Sequence, residues 1–256
     1  MPTVFRRLRH LSLGLWAAAA VCTAGAQGAA PTSYNVGATA TGIPFTFLDI
    51  KTNTIQGMMV DTVQAVGKAG GFTANVQQTT FAALIPSLTA GKIDIVSAAM
   101  LKTPARQQVV DFSDPVYSYG EGLIVKADDA RAYASLDDLK GEVVGAQVGT
   151  VFLDMLQKKG IFKEVRSYDS VADLTRDLAL GRIKAGLADQ PILAYQIRQN
   201  TFQGVKLADG YKPSNVGDVC LVVRKGDAET LQRLNKAIAA IKADGTLAQI
   251  TKKWGI

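Results

Sequence analysis

A chain of 256 residues, 48% of them hydrophobic, is long enough to bury one large core or two smaller ones. Its 28 basic and 22 acidic residues give a net charge of +6, and no basic cluster with interleaved aromatics points to nucleic acid. One histidine, His10, and two cysteines, Cys22 and Cys220, leave little for imidazole, thiol or metal chemistry.

Residues 1–26 read as an export signal. Arg6, Arg7 and Arg9 form a basic start, residues 11–21 an apolar run, and Ala24-Gly25-Ala26 a small-x-small cleavage site, so cleavage is expected after Ala26. The run is too short to span a bilayer. Cys22 raises the alternative of a lipid anchor, but Val21 stands before it where a small residue is needed. Cleavage removes three arginines and no acid, leaving 25 basic and 22 acidic residues, a net charge of +3. It also removes His10 and Cys22. The mature chain then has no Ser-His-Asp, Cys-His or HExxH machinery, and an enzyme built from it would run on carboxylates, lysine or tyrosine. Cys220, inside the apolar run 219–223, reads as core with no disulfide partner. No cofactor or metal is expected. The localisation expected is the periplasm.

In chain order, residues 36–38 begin the fold as a strand. Residues 42–47 form a loop entering a short extended segment, and Thr52-Asn53 marks a turn. Apolar spacing at Met59, Val63, Val66 and Ala69 predicts a helix over 58–69, closed by Gly70-Gly71. A strand follows over 72–76, a helix from 81 towards Gly91, and a buried strand over 93–100. Thr103-Pro104 then starts a helix, Thr as N-cap and Pro in the first turn. Arg106 falls in that first turn, where the helix dipole disfavours a cation unless an anion lies between them. The alternatives are an exposed Arg106 or one paired with Asp111 or Asp114. Residues 109–112 and 122–126 read as extended, and 136–141 as a short helix.

The alternation then restarts. Strands are expected over 143–147, 164–167, 185–188 and 205–207, and helices over 151–159, 171–180 and 191–199. A last apolar strand over 219–223 precedes helices over 228–243 and 246–253. This is an α/β pattern with mainly parallel sheets. Strands 122–126 and 219–223 bracket the second α/β unit. They predict two lobes on a two-strand hinge, with 34–123 plus 222–256 as lobe 1 and 127–218 as lobe 2.

Ligands of open parallel sheets sit beyond the C-terminal strand ends. That rule selects Thr39, the segment 101–106, Gly149-Thr150 and Asp189. Arg106 suits a carboxylate, Thr150 offers a hydroxyl and a helix-start amide, and Asp189 accepts from an ammonium. An α-amino acid satisfies the set. The bland alternatives are that Asp189 and Thr150 only cap helices and that Phe81 is core.

The motifs Ile43-Pro44-Phe45-Thr46-Phe47, Phe81-x-x-Leu84-Ile85-Pro86-x-Leu88-x-x-Gly91-Lys92-x-Asp94, Thr103-Pro104-x-Arg106 and Val110-Asp111-Phe112-Ser113-Asp114-Pro115 occur in order. They are followed by Leu136-x-Asp138-Leu139-x-Gly141, Gln147-x-Gly149-Thr150, Asp189, Asp244-Gly245-Thr246 and Lys252-Lys253-Trp254. In these the chain resembles the periplasmic solute-binding proteins of family 3, which serve amino-acid ABC transporters. The resemblance implies the type II periplasmic binding protein fold and a membrane permease as partner, with a monomer expected. It also implies an α-carboxylate held by Arg106 with help from Thr150, an α-ammonium held by Asp189, and Phe81 as one side of an aromatic clamp. Gly149, Ala99, Leu101 and Thr39 complete the expected ligand contacts. Thr39 replaces an acid common in the family, Gly42 an aromatic and Leu101 a hydroxyl residue. A roomier pocket and a ligand less cationic than Arg or Lys are therefore expected. A carboxylate enzyme resembling cyclohexadienyl dehydratases, using Asp189 and Glu121, is the alternative.

Overall fold

Two sheets carry the chain, and each is assembled the same way. The computed structural model describes residues 1–3 and 32–256; the cleavage site at Ala26 and the anchor alternative at Cys22 lie outside the described residues. The first lobe begins with β1 (Ser33–Ala38), a small antiparallel sheet of β2 (Thr41–Gly42), β3 (Thr46–Asp49) and β4 (Thr54–Gln56), and α1 (Met58–Gly70). Then come β5 (Thr73–Gln78), a 3-10 turn (Phe81–Ala83) running into α2 (Leu84–Thr89), β6 (Ile95–Val96), α3 (Pro104–Gln107) and β7 (Val110–Phe112). The second lobe holds β8 (Tyr117–Lys126), β9 (Val143–Gln147), α4 (Val151–Lys159), β10 (Glu164–Tyr168), α5 (Val171–Ala179), β11 (Ala185–Asp189), α6 (Gln190–Arg198), β12 (Val205–Leu207) and β13 (Val216–Val219). The chain returns through β14 (Val222–Arg224) and ends in α7 (Ala228–Ala243) and α8 (Thr246–Trp254), which pack on α1.

Sheet order is β5-β1-β6-β14-β7 in one lobe and β10-β9-β11-β8-β12 in the other. In each, three parallel strands are followed by an antiparallel one that arrives from the other lobe. The sheets are thus parallel only over those three strands. The return of β14 into the first sheet ties the end of the chain to its beginning.

Local chemistry accounts for the helix limits. Met59, Val63 and Val66 bury one face of α1, and Gly71, left-handed at φ 70°, closes it. At its start only glycine fits: Gly57 has φ 131°, and a Cβ there would stand 2.2 Å from the Phe45 carbonyl oxygen. The Thr150 hydroxyl caps α4, whose last turn carries Lys158 and Lys159 against the negative end of the dipole.

Three expectations require correction. Of the apolar run 93–100 only Ile95 and Val96 are strand, flanked by bonds from Asp94 to Asn35 and from Ser97 to Gly37; the run then bends, with Ala99 at φ 53°, as the chain turns out of the sheet towards α3. Residues 122–126 do not cross between lobes: they are the middle of the second sheet, bonded to β11 and β12. The crossing uses Tyr117–Gly120 with β13, and the apolar run 219–223 is interrupted at Cys220 and Leu221. There the backbones pair instead through Val116 with Val219 and Ser113 with Leu221. Residues 122–125 are apolar and buried because they lie inside the second sheet, whereas the crossing stretch Tyr117–Gly120 alternates aromatic and small residues. Cys220 is fully buried as expected, and burial pushes its thiol up to about 11.

Candidate functional site

The three parallel strands of each sheet end at one cleft, and the loops that follow them meet there. From lobe 1 come Thr39 after β1, Phe81 after β5 and the segment 97–101 after β6; from lobe 2 come Gln147 at the end of β9 and Asp189 at the end of β11. A small cavity between them is lined by Thr39, Gly42, Thr46, Phe81, Ala99, Gln147, Asp189 and Ile192, among others.

Arg106 stands beside Phe81 of the cavity wall. α3 is a single turn whose Thr103 cap accepts from the Arg106 amide, so that amide faces no ligand. The guanidinium instead donates to the Leu101 carbonyl oxygen at 2.6 Å and to the Gly149 carbonyl oxygen of the opposite lobe at 3.0 Å. Its carbon stands 5.8 Å from the centre of the Phe81 ring. Asp111 pairs with Lys225 at 2.7 Å, so the alternative of an Arg106–Asp111 pair is not what forms. Burial lowers the Arg106 pKa, opposed by the charges of Asp189 and Asp154. Phe81 is half-buried; it lines the cavity beside Arg106 and also packs on the core around Leu84 and Leu88.

Asp189 lies at the start of α6 but makes no side-chain cap. Its carboxyl oxygen bonds the Tyr119 hydroxyl, which also lies 3.0 Å from the Ala99 carbonyl oxygen. Tyr119 belongs to the crossing strand, so one phenol joins both lobes to the hinge. Burial pushes Asp189 up to about 7, with its own backbone amide and Arg106 pulling the other way. Glu121, its partner across the ladder, is fully buried. Four donors fill its oxygens: the Tyr211 hydroxyl, the Ser214 amide and hydroxyl, and the Asn215 amide.

The lobes touch. Gly149, left-handed at φ 77°, packs so closely on lobe 1 that a Cβ would come within 3.0 Å of Ala82 Cα. Ile192 of α6 covers Gly42, its Cδ1 3.6 Å from where a Cβ would be. The roomier pocket expected from Gly42 is therefore filled from the other lobe.

Not every expected residue faces the cavity. The Thr150 hydroxyl donates to the Gln147 carbonyl oxygen at 2.7 Å and caps α4, so the capping alternative describes its side chain. Leu101 turns its side chain onto Gly217 of the crossing strands and supplies only the carbonyl that Arg106 grips. Sequence reasoning missed Tyr119, Ile192 and Gln147 as site residues. The paired tyrosines of Tyr117-Ser118-Tyr119 ahead of Glu121 were the available signal for the first. Among the described residues no cluster suits a metal, and no helix is long and apolar enough to cross a membrane.

Comparison with known proteins agrees with this geometry. The family model for bacterial extracellular solute-binding proteins, family 3, matches residues 34–256. The "ABC transporter arginine-binding protein 1" of Escherichia coli (strain K12) is 33% identical over 221 residues, covering 86% of this chain and 89% of that relative. An ancestral arginine-binding protein, solved bound to arginine and bound to glutamine, shares 34% identity at a TM-score of 0.80, over 88% of this chain and 99% of that one. An ancestral amino acid-binding protein described as a precursor of cyclohexadienyl dehydratase shares 31% at a TM-score of 0.77, over 87% of this chain and 95% of that one.

Proposed function

The chain belongs to the bacterial extracellular solute-binding proteins, family 3, and on that premise we propose that it captures an α-amino acid between its lobes and delivers it to the permease of an ABC transporter. One observation carries the reading: a carboxylate from lobe 2 lines a cavity between the lobes, and a cation from lobe 1 stands against the Phe81 ring of its wall, each tied to the opposite lobe or the hinge. Arg106 receives the α-carboxylate, exchanging main-chain carbonyls for a charge-assisted, bidentate partner. Asp189 receives the α-ammonium with the Ala99 carbonyl, and Phe81 walls the ligand. Gly149 and Thr150 contribute backbone at the lobe 2 rim, and Leu101 acts by holding Arg106.

Closing the lobes around a ligand also joins their outer surfaces into the shape a permease reads. The protein works as a monomer in the periplasm, after cleavage following Ala26. The dehydratase alternative needs a second carboxylate, and Glu121 is occupied by four donors. Asp189 alone supports a binder better than an acid–base pair.

A thermal-shift screen against the common α-amino acids tests this. A ligand at about 100 times its Kd adds roughly 2.7 kcal/mol. A flat response to all of them would refute the reading.

A further inference from the structure

We infer that the side chain of the captured amino acid is small and uncharged, an inference that rests on the amino-acid reading and narrows it. Every charge near the cavity has a place at the backbone end. Arg106 bridges Leu101 and Gly149, and Asp189 meets Tyr119 and lies beside the Ala99 carbonyl. Once these take the carboxylate and ammonium, the polar side chains left in the wall are Thr39, Thr41, Thr46 and Gln147, and the rest of it is apolar. None of it is ionisable.

Two of the hydroxyls there are already paired. Thr39 and Thr46 are 6% and 1% exposed, and their oxygens stand 2.6 Å apart. One of their two hydrogens joins the pair, leaving the other for a ligand beside the Thr41 hydroxyl. Gln147 donates one amide hydrogen to the Asp169 carbonyl oxygen at 2.9 Å, leaving its second hydrogen and its amide oxygen. These neutral donors and acceptors suit a hydroxyl, an amide or a plain methyl group, and leave a guanidinium, ammonium or second carboxylate without a counter-charge. Burying such a group unpaired is heavily penalised. Length is limited too, because Ile192 packs over Gly42 at that end of the cavity.

Calorimetric titration at pH 7.5 of L-alanine, L-serine, L-threonine and L-glutamine against L-arginine, L-lysine and L-glutamate decides it. The expected result is binding by at least one of the first four, with all three charged side chains at least about a hundredfold weaker. Tighter binding by any of the three overturns this inference while leaving the amino-acid reading intact; silence across the whole panel overturns both. A Thr39→Asp variant, checked for its fold by circular dichroism, places a counter-charge at that end. It should gain lysine binding at least about tenfold, and a folded variant with no gain would contradict the assignment of this wall.

Discussion

The two ends of the cavity are built differently. At one end, a guanidinium and a carboxyl group hold main-chain carbonyls and a phenol drawn from both lobes and the crossing strand. At the far end, two threonine hydroxyls hold each other and Ile192 covers a glycine. The charged end recognises what all α-amino acids share; the neutral end selects among them. Substitutions at the first should therefore weaken every amino acid alike, and those at the second should change their order.

The largest effect is expected from Arg106→Ala. Losing the carboxylate's partner leaves a buried charge unpaired, about 2–5 kcal/mol, or roughly 30- to several thousand-fold in Kd, for all ligands alike by calorimetry. A ligand-dependent loss would break the division between the ends.

Asp189→Asn comes next, at about 1.5–3 kcal/mol, because a charge-assisted bond becomes a neutral one. Its pH dependence has a definite sign. The carboxyl titrates near 7 in the fold against an ordinary 3.8, so the native state holds this proton more tightly than the unfolded chain does. Its contribution to stability is complete below about pH 3.8 and is lost as pH rises through about 7. An arriving ammonium prefers the ionised form. Affinity should fall below pH 7, by up to about tenfold per unit, and the Asn variant should lack that slope.

Tyr119→Phe should cost about 1 kcal/mol for every ligand. Removing a donor from the Asp189 carboxylate also moves the midpoint of the pH profile upward, which a purely structural defect would not do. Arg106, Glu121 and Tyr119 are the ionisable groups facing Asp189, and only the last is altered.

Thr39→Val is the smallest, below about 1 kcal/mol, and should alter the ranking of serine against alanine rather than weaken both. Equal weakening would place Thr39 at the common end.

Much of the charged end was legible in the sequence, because it is made of local patterns. Thr103-Pro104 marked the start of α3, Gly149-Thr150 that of α4, and both α4 and α7 run between the expected residues. The neutral end was not. Ile192 reads as one more apolar residue of α6, and only the packing of one lobe on the other brings it over Gly42. Tyr119 was hidden for a different reason. The apolar run after it has the pattern of a crossing strand, and the residue that reaches both lobes falls outside every expected element. Nor is Arg106 placed by a helix dipole: α3 is one turn long, and its cap takes the Arg106 amide. What fixes the guanidinium is a carbonyl from each lobe, a tertiary arrangement with no local trace.

The most direct test of paired recognition uses whichever of alanine, serine, threonine and glutamine binds tightest, together with its amide and its N-acetyl derivative. Calorimetry should show both derivatives weakened at least about thirtyfold, since one lacks the carboxylate for Arg106 and the other the ammonium for Asp189. Either derivative binding as well as its parent would contradict the pairing of Arg106 with Asp189 across the cleft.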